Sequence, residues 1–168
     1  VLAEEDWTLS EATRTPIFWV FVVGIASISM LSTGLYFHMV SIFNDNGLTS
    51  TIAASVFVPV AVTTAIVNLG SGALANRIPL RLMLATALFL QVMALIMAQF
   101  LQGIELAFLY GIILGAIGGL NHIVNSVSWA KYFGRKYLGS ITGVTTTILI
   151  AGSALGPMPL GIARDMLG

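Results

Sequence analysis

His38 and His122 are the two side chains in this 168-residue, cysteine-free sequence whose ordinary titration falls near neutral pH. Neither has an Asp or Glu at a spacing that would make it half of an acid–base pair. His38 shares a helical face with Ser27, Leu31, Gly34 and Ser41. His122 belongs to a stripe of Gly111, Gly115, Gly118, His122, Asn125 and Trp129, with Asn121 beside it. Steps of three and four put that stripe on one face of a helix. An imidazole in such a place can bind an anion or relay a proton, or it can simply hydrogen-bond one helix to the next. Thr145, Thr146, Thr147 and Ser153 offer hydroxyls, either to a solute or back to carbonyls of their own helix. Asp45, Glu105 and Asp165 are scattered and have no histidine partner at fixed spacing, so an enzyme is not expected. No metal ligand set and no cofactor is expected either.

The elements that must position these groups follow from charge. Only 8% of residues are charged and 57% are hydrophobic, against roughly 25% charged in an average soluble protein. With a mean hydropathy of +0.96, a soluble domain is excluded. The zero net charge, with no basic tract, argues against nucleic-acid partners. A bilayer core about 30 Å thick needs roughly 20 apolar helical residues. The sequence supplies five charge-free runs of about that length or longer. They predict an all-α integral membrane bundle with helices near 17–43, 49–75, 80–101, 104–129 and 138–163. Strands are excluded, because a membrane barrel alternates over segments of about ten residues. The third run, rich in Met, Leu and Phe with Gln91 alone near its middle, reads as a lipid-facing helix.

Six of the seven basic residues (Arg14, Arg77, Arg81, Lys131, Arg135 and Lys136) fall on one side of this arrangement, and only Arg164 falls on the other. The positive-inside rule puts that side, and the amino end, in the cytoplasm. Residues 1–16, with Glu4, Glu5, Asp6 and Glu11, are then a cytoplasmic acidic linker ahead of a transmembrane bundle at 17–168. His38 and His122 lie on opposite sides of the bilayer midplane, too far apart for one metal site. Pro157, with Gly152 and Gly156, marks the fifth helix as one that packs closely and bends near its outer end, where it could act as a gate.

Two loops are specific. Gly72-Ala73-Leu74-Ala75-Asn76-Arg77-Ile78-Pro79-Leu80-Arg81 resembles the G-x-L-A-D-R-x-G-R-R loop of the major facilitator superfamily, departing from it at Asn76 and Pro79. The stretch from Trp129 to Gly143, W-A-K-Y-F-G-R-K-Y-L-G-S-I-T-G, resembles the branch that contains oxalate/formate antiporters and monocarboxylate transporters. Gly152 to Pro157, Gly161 with Asp165, and Gly34-Leu35-Tyr36-Phe37-His38 are similar to helices eleven and seven of that branch.

The resemblance implies helices seven to eleven of twelve, hence a fragment of the second six-helix half whose partner is the absent amino-terminal half. It implies a secondary transporter in the cytoplasmic membrane, moving a small organic solute, carboxylates among the candidates, by alternating access. A transport-inactive membrane sensor of the same fold is the alternative. Tyr36, His38, Asn121, His122, Asn125 and Thr146 are the substrate-cavity candidates, on a wall built from the first, second, fourth and fifth spans. Gly72, Asn76, Arg77 and Arg81 form the cytoplasmic loop motif, and Asn76 keeps hydrogen bonding there without the charge of the family's Asp. The branch's carboxylate transporters carry intramembrane Arg or Lys on helices eight and eleven. This chain has none in either run, which argues against oxalate-like charge pairing by this half.

Overall fold

The computed structural model describes residues 6–74 and 77–167, excepting the side chains of 71–74, 160, 163–165 and 167. Every element in them is helical: α1 (Leu9–Ala12), α2 (Pro16–Phe37), α3 (Met39–Asp45), α4 (Ser50–Ser55), α5 (Phe57–Leu74), α6 (Leu80–Met97), α7 (Gly103–Phe133), α8 (Leu138–Leu155) and α9 (Pro157–Leu167). Five of these, some joined across a break, are long and apolar enough to cross a membrane. The expected spans are therefore present, with three of them interrupted.

Local chemistry explains the boundaries. Thr15 caps α2, its hydroxyl accepting the Phe18 N–H at 3.4 Å, and Pro16 occupies the first turn, where no N–H is needed. Gly47, at φ 76°, turns the chain after α3, and Thr49 caps α4. Between α4 and α5 the helix is interrupted at Val56, because Pro59 has no N–H for the Ser55 carbonyl. Pro157 does the same to Ser153, whose carbonyl instead accepts the Gly156 N–H at 3.0 Å. Gly134, at φ 78°, ends α7, so the helix reaches Phe133 rather than stopping at the expected 129.

Two helices organise the bundle. α2 and α7 touch each other, α8 and α9 lie along α2, α5 lies along α7, and α6 leans on both α2 and α7. In lipid, apolar surface gains nothing by leaving hydrocarbon, so close approach through small residues does much of the holding. A side chain built on Gly111 would meet Val56 and Pro59; on Gly115, Val60 and Thr63; on Gly119, Val67. Gly156 likewise lies directly on the Met30 carbonyl and beside the Gly34 N–H. The outward faces carry Val62, Ile66, Phe89, Val92, Ile96, Phe108 and Ile112, as a lipid-facing surface should.

α6 is not purely lipid-facing. Leu82, Phe89, Val92 and Ile96 are exposed, whereas Leu80, Met83, Leu84, Ala87, Gln91 and Ala94 are buried. Gln91 is 1% exposed and accepts a 2.9 Å hydrogen bond from Ser32 on α2. Hydrocarbon cannot satisfy an amide, so this one polar residue sets the rotation of the helix. Its Nε2 has no partner, which removes much of what the bond contributes. Gln91→Leu is therefore expected to change the unfolding free energy by no more than about 1 kcal/mol. Chemical denaturation in detergent, wild type against variant, checks it.

Residues 6–15, ahead of α2, fold against the end of α7 and the loop that follows it. The Thr8 hydroxyl and backbone N–H bond Glu11 in a capping box, and these bonds hold the Glu11 carboxyl below its ordinary range. The Trp7 N–H donates to the Phe133 carbonyl at 3.0 Å, and Asp6 accepts the Lys136 N–H at 3.2 Å. Trp7 meets the Phe133 ring edge-on, over a cluster of Phe18, Trp129 and Phe133. Backbone groups that a linker would expose to water are thus paired with the α7–α8 loop.

Candidate functional site

Polar side chains join α7 to α2 on one side and to α5 on another. Asn121 on α7 donates through Nδ2 to the Ser29 hydroxyl on α2 at 3.2 Å, and its Oδ1 is buried without a partner. Thr64 on α5 donates to the Gly115 carbonyl at 3.1 Å, beside Gly118. One turn further along α5 lies Asn68, whose Oδ1 is also buried and unpaired. Asn125, one turn along α7 from Asn121, accepts the Trp129 Nε1–H at 3.2 Å and so tops the aromatic cluster around Phe18. These contacts offer hydrogen-bonding capacity and no formal charge.

Tyr36, in the last turn of α2, is stacked on Phe57 of α5 at 6.0 Å between ring centroids. Behind it Tyr110 is 0% exposed, against Phe43, with a hydroxyl that has no partner. The three unpaired atoms, on Asn68, Tyr110 and Asn121, are costly in an apolar setting, each by about 1–3 kcal/mol, so they mark places where the packing is not the most stable one available.

The remaining candidates lie elsewhere. His38 faces α9 rather than the α2–α7 junction, and its Nε2 bonds the Pro157 carbonyl at 3.1 Å. The face it shares with Gly34 is the one covered by Gly156, so His38 is separated from Asn121 and Asn125 by the body of α2. His122 and Thr146 are exposed, on α7 and α8 respectively. His122 therefore leaves the buried part of its predicted stripe. Gly152 is in ordinary contact with Ala26, while Gly156 makes the close approach that the sequence suggested for this helix. Of the loop motif, Arg77 and Arg81 are exposed beside the start of α6, Gly72 falls in the last turn of α5, and Asn76 lies outside the described residues.

Ser29, Ser32, Thr64 and Tyr110 were not singled out from the sequence. Single hydroxyls in long apolar runs carry no periodic signal, and only a facing partner distinguishes a helix-bridging serine from one bonded to its own backbone. Among the described residues no three of His, Cys, Asp and Glu come together as a metal would require. The arrangement can hold an uncharged polar group by hydrogen bonds and can present an imidazole and a hydroxyl on outward faces.

A search of curated proteins finds no match. The family profile of the Major Facilitator Superfamily matches residues 2–157. Five helices long and apolar enough to cross a membrane, and that match over nearly the whole chain, lead to one conclusion: this is an integral membrane protein that belongs to the Major Facilitator Superfamily, a family of membrane transporters.

Proposed function

We propose that the chain forms most of the second bundle of a secondary active transporter, which moves a small organic solute across the cytoplasmic membrane by alternating access. The observation that carries this reading is the pair of uncharged polar contacts that α7 makes inside otherwise apolar spans, Asn121 with Ser29 of α2 and the Gly115 carbonyl with Thr64 of α5. Polar groups at that depth are expensive and face a partner or a pathway. The complementary bundle, supplied by the amino-terminal half, would close the other side of that pathway. The amino end of this chain is cytoplasmic in this reading, with Arg14, Arg77, Arg81, Lys131, Arg135 and Lys136 on the inner surface.

Carboxylates of the size of formate, lactate and oxalate are the first solutes to test, in keeping with the resemblance of the 129–143 loop. This bundle contributes no basic residue to the middle of a span, so a carboxylate's charge would be met by the complementary half and its remaining polar atoms by this one. In proteoliposomes of the full-length protein, counterflow of one of these labelled acids is the expected result. Asn121→Ala should lower its kcat/KM about tenfold, the worth of one well-placed hydrogen bond. Binding of a solute without flux of any would replace the transporter by a sensor of the same fold.

A further inference from the structure

Two helix breaks lie opposite each other at the outer end of the α2–α9 contact, and one side chain joins them. The first is at His38, where the backbone (φ −92°, ψ 7°) leaves the helical range between α2 and α3. The second is at Gly156-Pro157, between α8 and α9. Pro157 and Pro159 deprive the Ser153 and Leu155 carbonyls of their usual helical donors, so the backbone there resists bending less than an intact helix would. Gly156 rests on the Met30 carbonyl and Gly34, without a side chain to wedge the helices apart. Beyond that contact, the His38 ring reaches Pro157 at 3.1 Å and lies about a van der Waals contact from the position a side chain at Gly161 would take, 3.9 Å away.

We propose that His38 is a positioning residue that ties these two breaks into a single hinge, so that α9 swings with α3 and not by itself. The imidazole N–H donates to a carbonyl on the first residue of α9, which is the point where a bend at Gly156 would be felt first. Without that bond the segment from Pro157 onward is held by the glycine contact below it and can pivot about Gly156. With it, the outer end of the fifth span follows the outer end of the first. The inference goes beyond the transport reading, resting on it only for the purpose of the movement; the tie itself is a property of the two helices.

The test uses the full-length protein in membranes, with a single accessible cysteine placed at Met166, which is 80% exposed in the last turn of α9 and beyond the fifth span. A second protein carries it at Ile104, 55% exposed at the outer end of α7 and away from the tie. The readout is the rate of labelling by a membrane-impermeant maleimide. His38→Phe keeps a ring and removes the donor; His38→Gln keeps an N–H donor.

The expected result is about a fivefold rise in labelling at Met166→Cys in His38→Phe, the effect of one hydrogen bond on an opening equilibrium. His38→Gln should return it to the wild-type rate, and Ile104→Cys should not respond. Equal rates at Met166→Cys in all three backgrounds, or equal rises at both positions, would overturn the proposal. Labelling requires no flux. A flat labelling pattern in a transporting protein defeats the hinge alone, and a responsive pattern in a protein that moves no solute defeats the transport reading alone.

Discussion

Replacing Gly115 with leucine will destabilise the bundle by about 3 kcal/mol or more, while Gly118→Ala, one turn away, will change it by less than about 1 kcal/mol. The Cβ of any residue at 115 would sit 2.5 Å from the Val60 carbonyl oxygen and 3.2 Å from the Thr64 backbone nitrogen. Those are main-chain atoms of α5 and cannot rotate away, so α5 as a whole must retreat. Retreat stretches the Thr64 hydrogen bond to Gly115 and opens the contacts at Gly111 and Gly119 together. At Gly118 an added Cβ would meet the Thr64 hydroxyl oxygen at 3.5 Å, an ordinary contact, and the gain in helix propensity offsets any small strain. Thermal unfolding of the two purified full-length variants in detergent distinguishes them. Similar midpoints for Gly115→Leu and wild type would show that α5 is not seated on these glycines.

Phe18→Ala will cost about 3–5 kcal/mol, the range for deleting a fully buried aromatic ring. Phe18 is 0% exposed and its ring lies 5.4 Å from Trp19, 5.7 Å from Trp129 and 6.0 Å from Phe133, centroid to centroid. It fills the space between the first turn of α2 and the end of α7, beneath the segment that Trp7 anchors. The surrounding rings belong to α2 itself and to α7, two helices fixed by their own contacts, so the space cannot collapse fully and a cavity term adds to the lost contacts. The loss should also free residues 6–15. Limited proteolysis ahead of Arg14 in Phe18→Ala, with wild type resistant, is the accompanying result; unchanged resistance would mean that the segment is held without the ring.

The spans were readable before any packing was known, since a charge-free run of about 20 residues has one stable form in a bilayer. Thr15 and Pro16 at the start of α2, and Thr49 at the start of α4, act through only a few residues of chain. Close packing of the fifth helix at Gly156 was likewise legible, because a glycine followed by proline both thins and weakens a helix. The glycine stripe on the fourth span was legible only in part. The sequence repeats in steps of three and four through Gly111, Gly115 and Gly118, the seam of a helix crossing with one hand. The contact instead follows steps of four through Gly111, Gly115 and Gly119. Which row is used depends on how α5 crosses α7, a property of the pair.

The same limit applies to the site. His38 and Asn121 both sit in apolar runs with polar company at helical spacing, and nothing local separates them. The sequence by itself determined the solvent of this protein, its number of spans, the likeness of its loops to a transporter family and the absence of intramembrane charge, because each follows from residue type and order along one helix. Only the tertiary structure decided that Asn121 faces Ser29, that Gln91 lies on the buried face of α6 against Ser32 and that His38 binds α9. Those outcomes depend on which helix lies opposite. A hydrogen bond or a glycine seat has no meaning until the second helix supplies the atom that fills it.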